Sequence, residues 1–139
     1  MIPKFRALHK PNKIMLDVIA INFLLREITA DIETRKIYPE LDYWWKETDI
    51  PFSEIELMQS TGLFDKNGVE IFEGDIVENT TQTVYIGHRF EVVKNLNRAC
   101  FQLMNNGFSS NIPLCSDDMC YEVIGNIYEN EELLEVEDD

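Results

Sequence analysis

Between the apolar pairs Leu63-Phe64 and Ile71-Phe72 the chain reads Asp65-Lys66-Asn67-Gly68, and this tetrapeptide constrains the fold more than any other stretch. Asn and Gly accept the positive φ that tight connections between antiparallel strands require. Turn chemistry recurs around it: Thr61-Gly62 ends the run that begins at Ile55, and Glu73-Gly74-Asp75, Gly87 and Asn105-Asn106-Gly107 follow. Between these turns lie short segments of strand character. They are Ile55 and Leu57 alternating with Glu54 and Glu56, then Ile76-Val77, Val84-Tyr85-Ile86, Phe90 to Val93, Cys100 to Met104, and Tyr121 to Tyr128. Residues 108–119, which include Pro113, read as an irregular connection. Five or six short strands separated by turns predict a mainly β chain with a small barrel or sandwich, and a closed barrel leaves no exposed strand edge.

The region 14–32 is open to two readings. Ile14, Val18, Ile21, Leu25, Ile28 and Ile32 follow the spacing of one helix face, whereas Ile19, Ile21, Phe23 and Leu25 alternate as on a strand. Pattern alone does not choose between them.

Charge limits the partners. The chain of 139 residues carries a formal charge of −14, although 45% of its residues are apolar, enough for a folded domain. Lys4, Arg6, Lys10 and Lys13 make the first thirteen residues basic, and seven acids crowd the last eleven. Without that tail the body still carries −7. An acidic body repels phosphate backbones and anionic membrane surfaces. No run approaches the length of a membrane span, the start lacks an apolar signal core, and three cysteines cannot all pair within the chain; a reducing cytoplasm is the expectation.

Three blocks carry a resemblance. They are Lys4-Phe5-Arg6-Ala7; Met58-Gln59-Ser60-Thr61-Gly62-Leu63 with Asp65-Lys66-Asn67-Gly68 and Glu73-Gly74-Asp75-Ile76-Val77; and Val123-Ile124-Gly125-Asn126-Ile127-Tyr128-Glu129-Asn130. The chain resembles the YopX family of phage and prophage proteins, departing from its usual pattern at Leu8, Ser60 and Glu131. The resemblance implies an N-terminal β subdomain over residues 1–58, a small SH3-like β-barrel over 59–128, and an acidic tail over 129–139. It turns 14–32 toward strands and implies a phage origin with the bacterial host's cytoplasm as location. It brings no biochemical activity and no catalytic residues. Residues 35–52 match no pattern of the family.

Cys115 and Cys120, with Cys100 and His88, offer only one loose ligand pair where a structural zinc site shows two close ones; free thiols are expected, and no metal. His9 and His88 lack a local partner signature for nucleophilic catalysis and read as solvated or strand-end histidines. Counted from Asp65, the sixth position of a calcium loop is not glycine and the twelfth is Ile76, so the tetrapeptide is a turn. Glu73 and Asp75 fit the entry to a strand better than a catalytic metal site. Tyr43, Trp44 and Trp45 form the densest aromatic patch, among Glu40, Asp42, Glu47 and Asp49 with Lys46 the only base. A stacking platform for single-stranded nucleic acid needs a basic groove, so this patch reads as a protein interface.

The expectation is therefore a phage-encoded accessory protein, non-enzymatic, without cofactor, that binds an unidentified host or phage protein, with a homo-oligomer also open. The competing readings are a nucleic-acid-associated protein and an acidic DNA mimic.

Overall fold

A computed structural model describes residues 4–80, 89–95, 100–105, 108–113 and 121–134. The chain is mainly β, as the turn spacing and the resemblance imply, and divides into two compact units, Met1–Gln59 and Ser60–Asp139.

In the first unit, β1 (Phe5–His9), β2 (Ile14–Asn22), β3 (Glu27–Ala30), β4 (Thr48–Pro51) and the first half of β5 (Ile55–Phe64) lie in the antiparallel order β4-β3-β2-β1-β5. The one helix described here, α1 (Thr34–Ile37), is a single turn between β3 and β4, and a 3-10 turn, Phe52–Glu54, leads into β5. Ala7, Leu16, Ile28, Ala30, Ile37, Ile50 and Ile55 form the core. These are small or aliphatic side chains, and the Ile and Leu members contribute on the order of 2 kcal/mol each on burial.

Residues 14–32 form the β2–β3 hairpin, and its geometry explains the helix-like spacing. The register between β2 and β3 shifts between Val18 and Ala20, a bulge that turns Ile19 outward at 51% exposure. One extra residue reverses the alternation, so Ile14 and Val18 share the core side with Ile21, three positions on. Ile21 then pairs directly with Ile28 across the hairpin. A bulge plus a turn thus reproduced a 4-3 rhythm in a strand. Leu25, which belongs to both patterns, sits in the turn at 62% exposure.

In the second unit, the last residues of β5 pair with β6 (Glu70–Phe72). A five-stranded antiparallel sheet follows in the order β10-β9-β8-β7-β11, from β7 (Asp75–Asn79), β8 (Arg89–Asn95), β9 (Cys100–Asn105), β10 (Phe108–Pro113) and β11 (Tyr121–Asn126). Ile71, Val77, Phe90, Val92, Leu103 and Tyr121 pack as its core. The described residues form open sheets and no closed barrel.

Two local expectations change. Thr61-Gly62 does not end β5. Gly62 takes φ +76°, Thr61 Oγ1 donates to the Ile71 carbonyl at 2.7 Å, and the strand continues through a register shift to Phe64. Residues 108–113 are a strand, not an irregular connection; β10 lies at the sheet edge, where a proline's missing N–H breaks no ladder. Of the acidic end, residues 131–134 form a 3-10 turn, and Arg89 Nη1 donates to the Leu133 carbonyl at 3.2 Å.

The Asp65 turn joins β5 to β6, with Gly68 at φ +81°. Its carboxylate organises the surroundings. Oδ1 accepts from the N–H groups of Asn67 at 2.8 Å and Val69 at 2.9 Å, and Oδ2 accepts from Val123 at 2.9 Å. Burial alone raises this carboxyl's pKa, but those three donors and the Lys66 ammonium outweigh it and hold the group below its ordinary value.

Candidate functional site

The segment after α1 carries Tyr43, Trp44 and Trp45, and local chemistry fixes its backbone while leaving its rings outside. Thr34 is buried at the start of α1, and its N–H and Oγ1 donate to the Trp45 carbonyl at 3.0 and 3.2 Å. The Trp45 N–H donates back to Thr34 Oγ1 at 3.2 Å. Arg35 Nη2 reaches the Asp42 carbonyl at 3.2 Å, and the Leu41 N–H donates to the Tyr38 carbonyl. Thr48 Oγ1 donates to the Ile32 carbonyl at 2.7 Å, so the chain re-enters β4 at a fixed point.

The rings are exposed at 53% for Tyr43, 49% for Trp44 and 63% for Trp45. Tyr43 and Trp45 meet edge to face with centroids 6.4 Å apart. They border a cavity of about 850 Å³ whose wall also includes Tyr38, Lys46, Glu47 and Asp49. About half of this ring surface stays in water on an ordered backbone, which presents it ready-oriented to whatever covers it.

Sequence reasoning missed a buried polar cluster beside this site. His9, expected to be solvated or at a strand end, does end β1 but is only 1% exposed. Its Nε2 lies 2.9 Å from Glu54 Oε1, and the Tyr38 hydroxyl donates to both Glu54 oxygens at 3.1 and 3.2 Å. Burial, then the Glu54 charge and hydrogen bond, and then Glu40 push the Tyr38 phenol up to about 12. A carboxylate only accepts, so Nε2 carries the proton toward Glu54. His9 Nδ1 has no hydrogen-bond partner among the described residues, so no hydroxyl or thiol there is presented to it as a nucleophile. The sequence offered only a histidine between Leu8 and Lys10 in a basic stretch, and the partners 29 and 45 residues away left no local trace.

The other candidates disperse. Asp75 is buried and accepts from the Phe72 N–H at 2.8 Å, which shapes the entry into β7. Glu73 sits near Glu91, whose carboxyl is raised by burial and then by that neighbouring charge. Among the described residues no three His, Cys, Asp or Glu side chains gather as metal ligands, and no helix is long and apolar enough to cross a membrane. His88, Cys115 and Cys120 lie outside the described residues, and only the strand position of Cys100 is described.

Two antiparallel sheets and structural polar hubs define a small β protein, and Tyr43, Trp44 and Trp45 border an open cavity in its first unit. The profile of the YopX protein family matches residues 4–135, and the chain belongs to that family. A crystal structure of protein EF1440 from Enterococcus faecalis is similar at 31% identity and TM-score 0.63, over 97% of this chain and 99% of that one. A comparison with curated proteins finds no match.

Proposed function

We propose that this YopX-family protein is a phage-encoded, non-enzymatic module that binds a protein of the phage or its host in the host cytoplasm through the Tyr43–Trp44–Trp45 face. The observation that carries this reading is the exposure of three adjacent aromatic rings on a backbone pinned by Thr34, Arg35 and Thr48. Aromatic anchors of this kind supply most of the energy at protein interfaces, and an ordered backbone lowers the entropy lost on binding. Direct nucleic-acid binding is disfavoured by the formal charge of −14 and by the acids around the rings.

The test is affinity capture from phage-infected cells with the wild-type protein and the Trp44→Ala/Trp45→Ala variant, read by mass spectrometry. A partner retained by the wild type and lost by the variant, with melting temperature unchanged, supports the reading. Equal capture by both proteins removes the aromatic face from it. Micromolar binding to DNA that disappears when Lys4, Arg6, Lys10 and Lys13 are neutralised replaces it with the nucleic-acid reading.

A further inference from the structure

The aromatic cavity has a chemical preference that its exposure alone does not reveal. Tyr38, Tyr43, Trp44 and Trp45 line it together with the acids Glu47 and Asp49 and the base Lys46. Thr29 Oγ1 donates to Asp49 Oδ1 at 2.7 Å, which fixes that carboxylate and leaves Oδ2 to other donors. Across residues 40–49 four acids stand against Lys46 as the single base. Aromatic faces are negative at their centres and attract cations. A neutral apolar occupant would cover the rings but strip water from the carboxylates without pairing them, and an anion would be repelled outright. An occupant that satisfies both surfaces has a flat or slender apolar stem and a positive head.

We infer that the cavity receives an arginine side chain from a basic segment of the partner, its guanidinium stacked on the indole rings and paired with Glu47 and Asp49. The inference rests on the reading of Tyr43–Trp45 as a docking face and adds the chemistry of what docks. Arginine fits better than lysine because its planar guanidinium both stacks on an aromatic face and pairs with carboxylates through a fork of donors. The charge of the whole chain agrees: at −14 it steers a basic segment inward from a distance.

One rival occupant is on the chain itself. The β2–β3 turn exposes Phe23 at 75%, Leu24 at 92% and Leu25 at 62%, next to Arg26, so it too combines apolar groups with a cation. Two chains that each carry −14 repel one another, however, whereas a basic partner is attracted. Charge decides for the partner.

The molecule supplies its own reporter, since its only two tryptophans are Trp44 and Trp45. Tryptophan fluorescence of the full chain, excited so that tyrosine is silent, therefore follows this site alone. The probes are the peptide acetyl-Gly-Leu-Arg-Leu-Gly-amide and two relatives, with citrulline or glutamate in place of arginine. Citrulline keeps the shape and loses the charge. The expected result is a saturable change with the arginine peptide, at least about tenfold weaker with citrulline and absent with glutamate. Glu47→Gln/Asp49→Asn should weaken the arginine peptide by a similar factor while leaving the melting temperature in place, and added salt should act in the same direction.

Equal binding of arginine and citrulline peptides overturns the cation inference and leaves the docking reading intact. No response to any peptide, with partner capture still dependent on Trp44 and Trp45, does the same. No response together with capture indifferent to those tryptophans overturns both. Concentration-dependent self-association in sedimentation runs, abolished singly by Leu24→Asp and by Trp44→Ala, assigns the cavity to a second copy and also overturns the inference.

Discussion

The stretch from Thr34 to Asp49 and the turn built on Asp65 are both held by side chains bonded to backbone, yet they use those bonds in opposite ways. In the first, buried threonines grip the backbone and the rings of Tyr43, Trp44 and Trp45 stay in water. In the second, the polar atoms themselves are consumed. Asp65 spends both oxygens on three N–H groups. Asn126 Oδ1 accepts from Tyr128 at 3.0 Å and Glu129 at 2.9 Å, and Asn130 Oδ1 accepts from Asn126 at 3.3 Å. Gly74 takes φ +88°, donates to the Val92 carbonyl at 2.8 Å and accepts from Ile127 at 2.9 Å. The residues that carry the family resemblance are thus largely residues whose functional groups the fold has already used. The Tyr43–Trp45 face lies inside the family match over residues 4–135 but outside the three blocks that carry that resemblance. A family motif can report architecture alone.

The largest effect should come from Asp65. Asp65→Ala leaves three N–H groups without their acceptor and should cost about 3 kcal/mol in urea unfolding. A loss under about 1 kcal/mol would mean that water replaces the carboxylate and that the contrast between the two regions is overdrawn. The pH dependence gives a second handle. The folded-state pKa lies below the unfolded value, so the contribution is present at neutral pH and is lost as pH falls below the ordinary aspartate range through the folded value. Asp65→Asn should therefore flatten the acid limb of the stability curve.

Much of this second region was legible in the sequence, because its determinants are local. Asp-Lys-Asn-Gly specifies a turn wherever it occurs between strands, and Gly68 at φ +81° is where that chemistry places positive φ. The third donor to Asp65 comes from Val123, 58 residues away, and no local pattern encodes it. The β2–β3 hairpin was obscured for a different reason: a single bulged residue gave a strand the rhythm of a helix. At the aromatic face the sequence identified the rings and their acidic neighbours. It did not reveal Thr34 as the anchor, because a threonine that pins a carbonyl eleven positions on looks like any other threonine.

Two glycines separate backbone strain from steric closure. At Gly68 a Cβ would meet nothing within 4 Å, so Gly68→Val should cost about 1–2 kcal/mol through its positive φ alone. At Gly125 a Cβ would lie 2.5 Å from Asn130 Oδ1, so Gly125→Ala must displace that side chain and its bond to Asn126. A similar loss is expected there, and Asn130→Ala should absorb most of it in a double-mutant cycle. Additive losses would show that Asn130 moves aside freely and that the last family block is less tightly closed than its hydrogen bonds imply.

Tyr38 joins the buried cluster to the wall of the cavity, and its effect should be smaller. Tyr38→Phe removes a hydrogen bond to a carboxylate and should cost about 1 kcal/mol at neutral pH. In an absorbance titration one tyrosine should ionise at about 12, against an ordinary value of 10.0. A phenol raised in the folded state keeps its full contribution below the unfolded value. That contribution declines as pH rises from about 10 to about 12, and the decline should be missing in Tyr38→Phe. Ionisation at the ordinary value would show that Glu54 does not hold the hydroxyl.

The smallest effect on stability is expected at the tryptophans, and it tests the comparison most directly. Trp44 and Trp45 are 49% and 63% exposed, so truncation removes only about half, or less, of the buried surface that a core tryptophan would lose. The bonds that order the segment run from Thr34 to the Trp45 backbone and survive a change to alanine. Only the edge-to-face contact between Trp45 and Tyr43 is lost, at an exposed position where such a contact contributes little. Trp44→Ala and Trp45→Ala should each stay within about 0.5 kcal/mol of the wild type in urea unfolding. A loss of 2 kcal/mol or more would be on the scale of truncated core residues, and the aromatic face would then belong to the scaffold, as the Asp65 turn does. If stability holds while the arginine peptide and the captured partner are both lost, the two regions divide the labour: one set of side chains is used up in making the fold, and the other is kept in water for a partner.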